Sequence, residues 1–275
     1  MRFGIIGYGT IARQALNALA RDLAQPLEAV VCLARADGAA RAQDMLDSLG
    51  ERLASQRLVV GSLSELLSLR PDFVAEAAGH KALQDHGAPI LAAGNDLLVT
   101  SAGALADDAL RAGLDAAALQ SGASYRICPG AVGGLDILAA ARLAGLQDVL
   151  YTSRKPPKAW AGTPAERLVD LAGLKAAHVF YEGSAEAAAR DYPQNANVAA
   201  TIALLGAGFA ATRVRLIADP AVSRNVHELS VRSSCADFDI RISGQPSPEN
   251  PKTSLTTGYA LANQILGLLP RRRIA

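Results

Sequence analysis

Apolar positions recur every three to four residues over residues 12–23 (Ala12, Leu16, Leu19, Leu23), the spacing of a helix with one buried face. They follow a short apolar run, Arg2–Ile6, that reads as a strand. Leu27–Leu33 (LEAVVCL) is a second such run, apolar on both faces as strands of a parallel sheet are. The alternation continues with a helical pattern at 39–53, a strand at 58–60 and a short helix at 63–69. A strand at 72–77, a helix at 82–93, a strand at 96–100 and a helix at 107–121 complete it. Strict alternation predicts a parallel sheet with right-handed crossovers and helices on both faces, an α/β doubly wound fold.

From about residue 123 the pattern changes. A strand at 125–128 leads into a glycine-rich loop at 129–134 and a helix at 135–143. Strands are then expected at 148–154, 177–181, 212–218, 225–233 and 237–244, with fewer helices between them. The period-two sets Val226, Leu229, Val231 and Phe238, Ile240, Ile242 suit a sheet with one covered face. This predicts an α+β region. After a proline-rich loop at 244–253, a last helix at 254–269 carries Leu255, Tyr259, Ala262, Leu266 and Leu269 on one stripe, with Thr253 or Ser254 as its cap. The expected division is 1–122, 123–250 and 251–275, the last packing back on the first.

The 275 residues suffice for two cores, and 50% hydrophobic with 19% charged residues is a globular balance. A net charge of +1 and 4% aromatic residues argue against a nucleic-acid partner. Cys32, Cys128 and Cys235 are far apart and odd in number, so neither a disulfide framework nor a metal site is expected, and reduced thiols point to the cytoplasm. The longest uncharged apolar stretch, 198–212, is too short to span a membrane and reads as one buried helix. No secretory leader is expected, because its removal would take the first strand with it.

Chemistry enters at the first turn. Gly7-Tyr-Gly9-Thr10-Ile11-Ala12 is a G-x-G-x-x-A fingerprint with a strand before it and a helix after it, which predicts dinucleotide binding by 1–122. Gly7 permits the sharp turn, Gly9 lets backbone approach a pyrophosphate, and Ala12 lets helix and strand pack closely. The residue after the second strand discriminates the nicotinamide cofactors, and Arg35 stands there with Asp37 two residues on. Arg35 suits the 2′-phosphate of NADP, or stacks on adenine, or is a solvated strand-end arginine; acceptance of both NAD and NADP is expected.

Four histidines are present. His86 falls on a helix and His178 opens a strand without polar neighbours. His80 stands at the C-terminal end of a parallel strand, where it either lines a cofactor cleft or belongs to a loop. His227 begins a strand, shares a face with Asn225 and has the ordinary pKa of a neutral-pH base, the alternative being a structural strand histidine. The 129–134 loop can turn backbone N–H groups toward a ligand. Asn197 either contacts a ligand or caps the following helix.

Taken together these segments resemble the L-aspartate dehydrogenases. The resemblance covers essentially the whole chain and rests on the fingerprint, Thr100-Ser-Ala-Gly-Ala-Leu105, Pro129-Gly-Ala131-Val-Gly-Gly134, Asn195-Ala-Asn197-Val-Ala-Ala, Asn225-Val-His227-Glu and Asn250-Pro-Lys-Thr-Ser254. Ala102 departs from it, where a branched residue is expected. The resemblance implies an N-terminal Rossmann domain, a C-terminal α/β domain and a homodimer or higher homo-oligomer. It also implies His227 at the active site and cofactor contacts at Ala131 and Asn197. The implied reaction oxidises L-aspartate with NAD or NADP to iminoaspartate, which hydrolyses or feeds NAD biosynthesis. Lys252, Arg232 and the amides of 130–134 are candidates for the two substrate carboxylates. The competing readings are a related dehydrogenase or reductase for another small amino or semialdehyde acid, and a nicotinamide-binding sensor without catalysis.

Overall fold

The computed structural model describes residues 1–250 and 253–269. Backbone contacts divide them into two units, Met1–Cys128 with the chain from Thr257 onward, and Pro129–Thr256.

In the first unit β1 (Arg2–Ile6), α1 (Thr10–Asp22), β2 (Leu27–Leu33), α2 (Ala39–Leu49), β3 (Ala54–Val60), α3 (Leu63–Ser68), β4 (Phe73–Glu76), α4 (His80–Ala92), β5 (Asp96–Val99), α5 (Asp108–Ser121) and β6 (Tyr125–Ile127) alternate as the periodicity demands. Their sheet has the order β3-β2-β1-β4-β5-β6 and every pair is parallel. That is the order of the doubly wound dinucleotide fold, reversing direction between β1 and β4. Asp107 caps α5 by accepting from the N–H of Ala109 at 2.9 Å. The boundary expected before residue 123 lies instead after Cys128, because Tyr125–Ile127 pairs with β5 and completes the first sheet. β3 is longer than its apolar signal because its first half, Ala54-Ser-Gln-Arg, is polar on a sheet edge.

The second unit holds α6 (Leu135–Ala144), β7 (Leu146–Lys155), β8 (His178–Ser184), α7 (Ala185–Asp191), α8 (Asn197–Leu205), α9 (Gly208–Ala211), β9 (Arg213–Ala218), β10 (Val226–Ser233) and β11 (Phe238–Ser243). Its sheet runs β11-β10-β7-β9-β8, with only β7 and β9 parallel. One face is apolar: Val149, Tyr151, Val214, Leu216, Leu229 and Val231 pack with Leu138, Trp160 and Ile202. On the other face arginines pair with carboxylates, Arg213 with Asp148, Arg215 with Glu182, Arg232 with Asp239 and Arg241 with Glu228. The single helix expected at 198–212 is two, α8 and α9. The chain breaks at Gly206, where a Cβ would lie 2.8 Å from the carbonyl oxygen of Ile202.

The last helix, α10 (Leu255–Leu268), contributes Leu261, Ala262, Ile265 and Leu266 to the core of the first unit. It crosses α1 closely at Gly258, where a Cβ would meet that of Gln14 at 2.5 Å.

Candidate active site

The glycine turn of the first unit has the conformation its residues require. Gly7 has φ +102°, and a Cβ there would lie 2.7 Å from the carbonyl oxygen of Ala77. Gly9 is extended at the N-cap of α1, supplies no capping side chain and faces open space where its Cβ would be. Thr10 and Ile11 open the helix, so its first N–H groups and positive dipole end suit a pyrophosphate. Arg35 is 86% exposed with Nε 3.6 Å from Asp37. Tyr8, inside the fingerprint, lies across Gly38, and the Arg41 guanidinium stands 5.4 Å over its ring. Sequence reasoning passed over both Tyr8 and Arg41.

Glu76 was also missed as a structural centre. It ends β4 wholly buried, and its carboxylate accepts from the N–H groups of Ala78 and Gly79, each at 2.8 Å. The same carboxylate accepts from the N–H and hydroxyl of Ser101, at 3.0 and 2.9 Å. One side chain thus ties the loops after β4 and β5 together, and the first of these abuts Gly7. His80 is the first residue of α4, not a loop residue.

In the second unit His227 is 7% exposed on β10, opposite Ser153 of β7 and Ile242 of β11. Its Nδ1 is 2.7 Å from the hydroxyl of Tyr151, and the two rings lie within 11° of parallel. Burial lowers the His227 pKa to about 4, with the positive charge of Lys155 adding to the effect. The imidazole is therefore neutral near pH 7. Burial pushes the Tyr151 phenol well above its ordinary pKa, with Ser153 a weaker influence in the opposite direction. If Nε2 is to act as a base, the single imidazole proton must sit on Nδ1 and be donated to the Tyr151 oxygen. The phenol oxygen is then the acceptor in this bond.

Lys155, at the end of β7, shares the covered face with Ser153 and Tyr151. Its Nζ donates to Asn195 Oδ1 at 2.5 Å and lies 4.6 Å from the centre of the Trp160 ring. A cavity of about 240 Å³ opens here, lined by Lys155, Ala159, Thr163, Asn195, Asn225, Asn250 and Thr253.

Other expected residues fall as follows. Asn225 joins this cavity from the residue just before β10. Ala131 is buried in the loop before α6, whose Gly130 and Gly134 both have positive φ. Asn197 is the first residue of α8, and Ala196 holds the cap position, so the capping role is not the one its side chain has. Arg232 is corrected: it lies two-and-a-half repeats from His227, hence on the opposite face, bonded to Asp239 and to the carbonyls of Val231 and Phe238. Lys252 lies outside the described residues. Among the described residues no group of three His, Cys, Asp or Glu could hold a metal ion, and no helix is long and apolar enough to cross a membrane.

Comparison with known proteins places these features in context. Residues 136–268 match the family model described as aspartate dehydrogenase, C-terminal, and residues 7–127 match homoserine dehydrogenase, NAD binding domain. The chain is 42% identical to the L-aspartate dehydrogenase of Pseudomonas aeruginosa over 262 residues, 95% of each chain. It is 39% identical to that of Cupriavidus necator over 265 residues, 96% of each. The crystal structure of aspartate dehydrogenase from Thermotoga maritima superposes with a TM-score of 0.74 at 25% identity, covering 100% of this chain and 99% of that one.

Proposed function

The chain belongs to the L-aspartate dehydrogenase family, and on that footing we propose that it oxidises L-aspartate to iminoaspartate, with NAD or NADP as acceptor and His227 as base. The observation that supports this most directly is a buried, neutral imidazole, held through Nδ1 by Tyr151, beside a small cavity with a cationic end.

A nicotinamide cofactor held by the first unit would supply the acceptor for the hydride lost from Cα. For that hydride to leave, the adjacent amine must be neutral and able to give its lone pair to the forming C=N bond. His227 Nε2 takes the proton from the ammonium group, releases it to solvent, and then takes a proton from the water that attacks the imine carbon. Tyr151 holds the tautomer that makes this possible. Gly7, Gly9, Thr10 and Ile11 would hold the pyrophosphate and Arg35 the adenosine end. The family resemblance adds Ala131 and Asn197 as cofactor contacts.

The absence of a disulfide among Cys32, Cys128 and Cys235 supports a reducing, cytoplasmic setting, and burial pushes the Cys32 thiol up to about 12, leaving it unreactive. A homo-oligomeric assembly and delivery of the imine to NAD biosynthesis belong to the same reading.

Absorbance of the reduced cofactor on mixing with L-aspartate tests the activity. In His227→Ala, kcat should fall by about 100-fold or more while cofactor affinity stays within about twofold. A variant that keeps its kcat would show His227 to be structural. Turnover of another amino acid but not aspartate would move the chain to a different substrate.

A further inference from the structure

We propose that Lys155 is the counter-ion for the side-chain carboxylate of the substrate, holding it in the cavity beside His227 and so setting the preference for a dicarboxylic amino acid. This rests on the reading of the chain as an amino-acid dehydrogenase and extends it to the residue that chooses which amino acid.

Placement carries the first part of the argument. Lys155 lies two residues beyond Ser153, which faces His227, so the two side chains share one sheet face as diagonal neighbours, about 7–8 Å apart at the backbone. His227 does not line the cavity, whereas Lys155 and Asn225 do. The reacting amine therefore belongs at the His227 end, and the cavity receives the part of the substrate that does not react. About 240 Å³ suits a small metabolite and not a nucleotide.

The chemistry of the walls carries the second part. Lys155 is the one charged side chain among the described lining residues; Thr163, Asn195, Asn225, Asn250 and Thr253 supply neutral hydroxyls and amides. Lys155 is only 8% exposed, so a carboxylate in the cavity would meet its charge with little water between them to screen it. Asn195 and the Trp160 face hold it in place, so little is lost in ordering it when a carboxylate arrives.

The experiment measures binding without turnover. Dissociation constants of L-aspartate and of L-asparagine, its neutral isostere, are determined by calorimetry on the full chain without cofactor, for wild type, Lys155→Gln and Lys155→Arg. Wild type should favour aspartate, and Lys155→Gln should reduce that preference by about 10- to 150-fold, chiefly by weakening aspartate. Lys155→Arg should restore part of it. Equal weakening of both ligands, or an unchanged preference, would overturn the proposal and leave Lys155 as a brace or as a partner of the α-carboxylate. Charge-dependent binding of aspartate by a chain that does not oxidise it would uphold the anion site while refuting the dehydrogenase reading. Oxidation of aspartate with the preference unmoved in Lys155→Gln would do the reverse.

Discussion

Tyr151→Phe deletes one oxygen atom from the covered face of the second sheet and nothing else. Phenylalanine keeps the ring and its packing against Leu216 and Leu229. What disappears is the 2.7 Å contact to His227 Nδ1. Tyr151 is 1% exposed and His227 7%, so water has little access to replace the hydroxyl. The imidazole N–H then either stays unpaired at Nδ1, at a cost of about 1–3 kcal/mol, or moves to Nε2, where it removes the lone pair that would take the substrate proton. Each 1.4 kcal/mol is tenfold in rate, so kcat should fall by about 5- to 150-fold with the KM for NAD changed by less than about twofold. Initial rates of reduced-cofactor formation across a pH series would measure this, and a thermal melt beside them separates lost activity from lost fold. A kcat within twofold of wild type would refute the reasoning, because the imidazole would then be oriented by something other than this hydroxyl.

Two further outcomes follow from the same geometry. The folded chain holds His227 at about 4 against an ordinary 6.5 and so resists a proton that the unfolded chain accepts. Its contribution to stability is complete above pH 6.5 and is lost as pH falls toward 4, about 2–3 kcal/mol by pH 4.5. Urea melts at pH 7 and pH 4.5 should differ less in His227→Gln by that amount; an equally steep acid limb would place the effect on other groups. At the strand end, Arg35→Ala should lower kcat/KM with NADP by about tenfold and with NAD by less than threefold. A uniform loss with both cofactors would assign Arg35 to adenine stacking instead.

The first sheet was legible because a parallel strand is apolar on both faces and each crossover helix announces itself by its period. β6 was misplaced because three residues of strand carry no sign of which sheet they will join. The break at Gly206 was hidden inside an unbroken apolar run, where composition outweighed the crowding against Ile202. His227 and Asn225 could be read from period two, and the same parity would have excluded Arg232. Tyr151 could not be read at all: it meets His227 across 76 residues of chain, through a pairing of β7 with β10 that no local pattern records. Lys155 sits at a strand end followed by two prolines, a setting that resembles a solvated turn until the fold buries it.

The second unit is one unbroken stretch of chain, while the first is closed only by α10, which supplies Leu261, Ala262, Ile265 and Leu266 from the far end of the sequence. During synthesis the two therefore mature out of order. The strands of the first sheet emerge early but wait, one side of α1 uncovered, until the last helix clears the ribosome. The inserted unit by then has its whole sheet available. A chain truncated after Thr256 should present a folded substrate half and a nucleotide half still exposed to chaperones. Joining Cys128 directly to Thr257 should yield the nucleotide half as an independent fold.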